Sequence, residues 1–130
     1  MNLPDPTQLL DRDYLRDNFH DVGFSYLLPE LLELFSKQTC EGLQTLEQFY
    51  ATHDYQALTV EAHTVKGTAG SVGAAALSTA AADLEHAAQE GDSVRIAQTY
   101  NHLQEVAAQT LQAVAHELEQ LARENELDVF

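Results

Sequence analysis

The sequence predicts an all-α protein, an antiparallel up-down-up-down four-helix bundle with a short additional N-terminal helix. The composition favours helix, because 45% of the 130 residues are hydrophobic while the chain has only three prolines and six glycines. Apolar residues recur at helical spacings of three and four along most of the chain. The predicted helices are joined by very short connections, so consecutive helices must pack antiparallel.

Two helices are predicted before residue 52. The chain to about Thr7 has two prolines and is predicted to be irregular. Four apolar residues then predict the short N-terminal helix, namely Leu10, Tyr14, Leu15 and Phe19. Gly23 is expected to end it. A long amphipathic helix follows over residues 25–51, with Pro29 in the first turns, where proline is tolerated. Its apolar stripe consists of Leu28, Leu31, Leu32, Phe35, Thr39, Gly42, Leu46 and Phe49.

Three more helices are predicted, over residues 55–71, 74–90 and 93–123. Asp54 is placed to accept hydrogen bonds from the first free amides of the first of these helices. Gly91 and Asp92 supply a stop for one helix and a cap for the next. We therefore expect a single domain over residues 1–130, with the bundle covering about residues 10–123.

The charge and the apolar distribution exclude several classes of partner. The formal net charge of −15, from 21 acidic and 6 basic residues, should repel nucleic acid and anionic lipid. No stretch approaches the roughly 20 apolar residues that cross a bilayer, and no secretory signal is recognisable. We therefore expect a cytoplasmic protein whose partner is another protein. The single cysteine, Cys40, is expected to be buried as a small apolar residue.

The helix predicted over residues 55–71 carries the most informative pattern. One apolar stripe, expected to face the core, consists of Leu58, Ala62, Val65, Ala69 and Val72. His63, Gly67 and Gly70 lie roughly opposite this stripe, and Lys66 lies on its flank. His63 is therefore predicted to be exposed to solvent.

Lys66 and Gly67 follow His63 at i+3 and i+4, so they are its neighbours on the helix surface. A neutral imidazole is nucleophilic and can attack a phosphoryl donor. Phosphorylation would add roughly two negative charges, which Lys66 can neutralise. A mid-helix glycine costs about 0.5–1 kcal/mol relative to alanine. Close approach of another molecule to Gly67 would account for this cost.

The segment Ala62-His63-Thr64-Val65-Lys66-Gly67, followed by Gly73 and by Leu84-Glu85, resembles the signature of histidine-containing phosphotransfer (HPt) domains. The resemblance covers roughly residues 10–121, including the helical layout. It implies that His63 accepts a phosphoryl group from an aspartyl phosphate on a receiver domain and passes it to another receiver aspartate. Lys66 would stabilise the phosphoryl charge, and Gly67 would give steric access.

The same resemblance implies a phosphotransfer intermediate in a phosphorelay, without an ATP site or cofactor of its own. The chain has no Gly-x-x-x-x-Gly-Lys-Ser/Thr loop, which agrees with this expectation. Any Mg²⁺ would belong to the receiver. The expected partners are response-regulator receiver domains and a hybrid sensor histidine kinase, and the chain is expected to be a monomer.

Other interpretations of the sequence stay open. The chain could be an interaction module that binds a receiver or sensor kinase without being phosphorylated. It could also be the phosphoacceptor domain of a larger kinase, although the N-terminal methionine favours a free-standing protein. A di-iron bundle is disfavoured because the sequence has no Glu-x-x-His pair. We assign no role to the remaining histidines, which are His20, His53, His86, His102 and His116.

Overall fold

The computed structural model describes residues 5–20 and 25–128, and all of the regular structure in these ranges is helical. These residues form six α-helices: α1 (Pro6–Leu9), α2 (Arg12–Leu15), α3 (Leu28–Ala51), α4 (Tyr55–Ser71), α5 (Ala75–Glu90) and α6 (Ser93–Asp128). A π-helical segment, Arg16–His20, continues α2, and a 3-10 turn, Ser25–Leu27, leads into α3. The prediction of an all-helical protein is confirmed.

The predicted caps define the ends of the long helices. Asp54 accepts a hydrogen bond from the amide of Ala57 (3.1 Å) at the start of α4. Gly91 ends α5 with φ of 69°, a left-handed conformation that suits glycine. Asp92 then accepts from the amide of Arg95 (3.2 Å). The bounds of α4 are as predicted, whereas α6 continues to Asp128 instead of ending at residue 123.

The core lies between the four long helices. Each of these helices packs against the next along the chain, and α3 also contacts α6. A Cβ added to Gly42 of α3 would lie 3.1 Å from Cγ2 of Val65 on α4, so these two helices approach closely. The largest fully buried side chains are Leu15, Leu32, Phe35, Leu46, Leu58, Val72, Leu77, Leu84, Ile96, Leu103, Val106 and Val114.

The N-terminal segment differs from the single short helix that the sequence predicts. Part of the predicted irregular lead-in is helix α1, which begins at Pro6, where proline is tolerated. Asp11 interrupts the helix that would otherwise continue. Its side chain caps α2 by accepting from the amide of Tyr14 (3.0 Å), and its own amide donates to the carbonyl of Gly73 (3.2 Å). The predicted break at Gly23 lies outside the described residues.

The N-terminal segment packs on the turn between α4 and α5 and on α6. Gly73 in that turn has φ of 74°, and a Cβ added there would lie 3.1 Å from side-chain atoms of Asp11 and Tyr14. The guanidinium Nε of Arg12 lies 2.9 Å from Oε2 of Glu117, whose side chain is only 8% exposed. An ion pair with a buried carboxylate therefore joins α2 to α6.

One expectation about burial is wrong. Cys40 is exposed, because Thr39 occupies the buried position on α3 and the next residue lies about 100° further around the helix. The buried residues of α6 include Ile96, Leu103 and Val106. This helix contacts both α3 and α5, so it buries more than one face.

No helix among the described residues combines the length and the apolar character needed to span a bilayer.

Candidate functional site

The apolar stripe of α4 is buried as predicted, and His63 is exposed. Leu58, Ala62, Val65, Ala69 and Val72 are each at most 4% exposed. The side chain of His63, on the other side of the helix, is 67% exposed. The imidazole is therefore accessible to another molecule, as the helical pattern predicts.

His63 and Lys66 share one carboxylate, that of Glu85 on α5. Nδ1 of His63 lies 3.1 Å from Oε1 of Glu85, and Nζ of Lys66 lies 3.5 Å from Oε2 of the same residue. The side chain of Glu85 is 12% exposed, whereas that of Lys66 is 37% exposed. The Oε2 atom is buried and has no hydrogen-bond partner among the described residues. The Lys66 ammonium therefore provides the opposite charge near this oxygen.

The electrostatics of Glu85 determine which nitrogen of His63 is free. Burial raises the pKa of Glu85, but the hydrogen bond from His63 and the positive charge of Lys66 outweigh this effect and lower the pKa below its ordinary value. Glu85 is thus a carboxylate at neutral pH and can only accept hydrogen bonds. Nδ1 of a neutral His63 must carry the hydrogen in this contact, which leaves the lone pair on Nε2.

Gly67 and Gly70 form an open surface on the exposed side of α4. No atom of the described residues lies within 4 Å of a Cβ added at either position. Packing among the described residues requires neither glycine, and each costs helix stability. At Gly67, one turn beyond His63, the bare backbone therefore leaves the imidazole accessible from that side.

A model of the Hpt domain family matches residues 30–109, which is more than half of the chain and includes His63, Lys66, Gly67 and Glu85. The chain belongs to the Hpt domain family. Members of this family are phosphocarriers that perform histidine phosphotransfer in phosphorelays, and their partners are response-regulator receiver domains. No curated protein and no solved structure matched the chain.

Helical periodicity assigns no role to Glu85 of this Hpt domain, although Leu84-Glu85 belongs to the signature that the sequence resembles. The residue lies on a second helix, 22 positions from His63, and periodicity within one helix cannot give the register between two. One pattern in the sequence of α5 could nevertheless indicate which of its faces meets α4. Ser78 and Glu85 are seven residues apart and thus share a face, and the Ser78 hydroxyl donates to the carbonyl of Lys66 (3.2 Å). These two contacts hold α5 against the His63 segment.

A groove of about 270 Å³ lies between α3 and α4, beside the exposed side of α4 that carries His63, Gly67 and Gly70. Gln38, Thr39 and Gly42 line it from α3, and Glu61 and Thr64 are among its α4 residues. The Thr39 hydroxyl is buried and has no hydrogen-bond partner among the described residues. Burial raises the pKa of Glu61. This Hpt domain therefore presents a partly polar groove beside the His63 helix.

Metal ligation has no support in the described part of the chain. Within residues 5–20 and 25–128, no group of three or more histidine, cysteine, aspartate or glutamate side chains is arranged to hold a metal ion. Asp83 and His86, the nearest approach to a Glu-x-x-His pair in the sequence, both lie on α5 outside the buried core. The cluster of His63, Lys66 and Glu85 is the candidate site.

Proposed function

We propose that this chain is a phosphocarrier in a His-Asp phosphorelay, in which His63 accepts a phosphoryl group from a receiver aspartyl phosphate and passes it to another receiver aspartate. The observation that carries this proposal is the exposed imidazole of His63 with its Nδ1 on Glu85. This contact leaves Nε2, the nucleophilic nitrogen, without a proton and directed away from the carboxylate.

Lys66 and Gly67 support the transfer in different ways. Lys66 stabilises the phosphoryl charge, because its ammonium lies beside His63 on the helix surface and its side chain is 37% exposed, so it can extend towards a phosphoryl group on the imidazole. Gly67 gives steric access to the docked receiver, because its position is open in this chain. Phosphoryl transfer depends mainly on positioning and charge stabilisation, and the receiver supplies its own Mg²⁺. The chain needs neither a cofactor nor an ATP site.

The proposed docking face comprises the exposed side of α4, which carries His63, Gly67 and Gly70, and the adjoining groove between α3 and α4. The expected partners are receiver domains and a hybrid sensor histidine kinase, in the cytoplasm, with the chain acting as a monomer. We also infer that α3 to α6 run up-down-up-down in one domain over residues 1–130, with the N-terminal helical segment across one end. The short connections and the contact of α3 with α6 support this topology.

The competing function is an interaction module that binds a receiver or a kinase without being phosphorylated. Such a module would need the docking face but not the free Nε2 of His63. The contact with Glu85 favours the phosphocarrier, because an interface residue has no need for a defined tautomer.

The test is incubation of the pure protein with phosphorylated receiver domains and Mg²⁺, followed by measurement of acid-labile, alkali-stable label. We expect label on the wild type and none on the His63→Gln variant. His63 is off the core, so the circular dichroism of this variant should be unchanged. The matched control is His86→Gln on α5, which should be labelled normally.

Each alternative result has a defined meaning. Equal labelling of the wild type and of His63→Gln would place the phosphoryl group elsewhere and overturn the proposal. Measurable binding of receivers without any label on the wild type would favour the interaction module.

A further inference from the structure

We propose that the groove between α3 and α4 binds the guanidinium of an arginine side chain that a docked receiver domain presents beside His63. This inference rests on the proposed function, because a receiver that reaches His63 also covers the groove next to it. The groove is then a recognition site, separate from the residues that handle the phosphoryl group. Three of its features support this role: a carboxylate without a cation, a buried hydroxyl without a partner, and a lining rich in hydrogen-bond acceptors.

Glu61 places a half-buried carboxylate in the groove with no cation to balance it. Its Oε1 lies 3.4 Å from the position that a Cβ on Gly42 would occupy, so the carboxylate of α4 extends to the backbone of α3. No salt bridge among the described residues involves Glu61. Burial raises the pKa of Glu61, because the charged form loses contact with water. A bound cation would offset this effect.

The hydroxyl of Thr39 differs from those of six other threonines. Each of the six donates to the carbonyl one helical turn before it, at 2.7–3.2 Å; they are Thr45, Thr52, Thr59, Thr64, Thr99 and Thr110. Thr39 has no hydrogen-bond partner among the described residues, although it is only 2% exposed and lines the groove. A buried hydroxyl without a partner is destabilising. A ligand that completes this hydrogen bond therefore gains affinity from it.

The lining of the groove is rich in hydrogen-bond acceptors. Glu41 adds an exposed carboxylate, and Thr45 and Thr64 donate to their own helices, so their oxygen lone pairs stay available. A guanidinium has several N–H donors in one plane and no acceptor, so it matches this lining. The two carboxylates would repel an anion. An apolar side chain would bury Glu61 and Thr39 without partners.

The groove has the size and the charge for one arginine side chain. Its volume of about 270 Å³ equals that of roughly nine water molecules, enough for a guanidinium with part of its aliphatic stem. The formal net charge of −15 also attracts a basic surface. We expect Glu61 to contribute more than Glu41, because solvent and salt screen a half-buried carboxylate less than an exposed one.

The first experiment tests the groove without a receiver. The ¹⁵N-labelled protein is titrated with N-acetyl-arginine amide in about 0.15 M salt, and the amide shifts are followed by NMR. We expect saturable shifts at the residues that line the groove. N-acetyl-citrulline amide has nearly the same shape but no charge, so it should bind about tenfold more weakly. Equal binding of the two compounds would overturn the proposal.

Three variants locate this binding. Glu61→Gln keeps the shape of the side chain and removes its charge, so the affinity for N-acetyl-arginine amide should fall about tenfold. Thr39→Val should weaken binding about threefold and raise the unfolding temperature, because it removes a buried hydroxyl that lacks a partner. A merely structural Thr39 would not combine a more stable fold with weaker binding. The matched control is Glu47→Gln, an exposed position of α3 outside the groove, which should bind like the wild type.

The second experiment identifies the occupant. A receiver domain that binds the wild type is prepared with each surface arginine replaced by alanine in turn, and each is combined with Glu61→Gln in a double-mutant cycle. We expect one arginine whose loss weakens the wild-type complex about tenfold but has little further effect on the Glu61→Gln complex. The same arginine should be additive with the control Glu47→Gln.

The outcomes separate this inference from the proposed function. Additive effects of every arginine, in a receiver that labels His63, would overturn the arginine site and leave the phosphocarrier intact. Coupling of one arginine to Glu61, in a receiver that binds without labelling His63, would support the site and count against the phosphocarrier. Binding of N-acetyl-arginine amide together with additive effects of every receiver arginine would show a cation site that the receiver does not fill, and would overturn the proposal. If no receiver binds the wild type, both proposals fail.

Discussion

Replacement of Gly67 by alanine should stabilise the protein and slow phosphoryl transfer at the same time. A Cβ at this position would contact no atom of the described residues within 4 Å, so the methyl group is accommodated in the free chain. Alanine in a helix interior is favoured over glycine by about 0.5–1 kcal/mol. The unfolding temperature should therefore rise by roughly 2–5 °C.

The loss of transfer would arise only in the complex with a receiver. A methyl group forced into a close interface costs about 1–3 kcal/mol. The transfer rate should then fall at least about fivefold, since about 1 kcal/mol corresponds to that factor. The assays are thermal unfolding by circular dichroism and single-turnover transfer from a phosphorylated receiver.

Two glycine variants serve as controls. Gly70→Ala is equally open, and we expect the same gain in stability. Its effect on transfer should be smaller, because Gly70 lies about 10 Å along the helix from His63, compared with about 6 Å for Gly67. Gly42→Ala should destabilise the protein, since its Cβ would lie 3.1 Å from Val65. A destabilised Gly67→Ala variant, or one that transfers at the wild-type rate, would refute the assignment of Gly67 to steric access.

Three further predictions follow from the ion pairs. Lys66→Ala should slow transfer in a single-turnover assay without abolishing it, because the ammonium stabilises charge and forms no bond; an unchanged rate would remove Lys66 from the mechanism. Arg12→Ala should lower the free energy of unfolding in urea by about 1–2 kcal/mol, because it leaves the buried Glu117 carboxylate without its cation. The loss should not be larger, since Arg12 itself is more than half exposed. A second substitution, Glu117→Gln, should recover part of this loss, and no recovery would argue against the ion pair. The lowered pKa of Glu85 stabilises the folded state at pH values above the ordinary pKa of 4.5, and this contribution is lost as the pH falls further. Acid should therefore destabilise Glu85→Gln less than the wild type, and parallel curves of the free energy of unfolding against pH would contradict this.

The exposed part of the site could be predicted from the sequence because it depends on one helix. Five apolar residues at spacings of three and four fix the buried side of α4, and the rotation of about 100° per residue then places His63, Gly67 and Gly70 outside. The caps Asp54 and Gly91 likewise act on neighbouring residues only. Local rules of this kind are readable from a single sequence.

The features that sequence reasoning missed depend on contacts between helices or between distant segments. The contact of Glu85 with His63 requires the register of α5 against α4, which the Ser78 hydroxyl helps to set. The interruption of the N-terminal helix at Asp11 depends on the carbonyl of Gly73, a residue far along the chain. The average behaviour of free cysteines predicts a buried Cys40, but the α3 stripe contains its neighbour Thr39, and Cys40 is exposed.

The chemistry and the adjoining groove are divided between different parts of the bundle. His63, Lys66 and Glu85 all belong to α4 and α5, which are consecutive helices, whereas α3 contributes one wall of the groove and no charged partner to this cluster within the described residues. On the proposed docking face, we therefore expect substitutions on the exposed side of α3 to change which receiver is preferred while the phosphoryl chemistry stays the same. A duplicated copy of such a protein could acquire a new partner through α3 alone, without passing through an inactive intermediate.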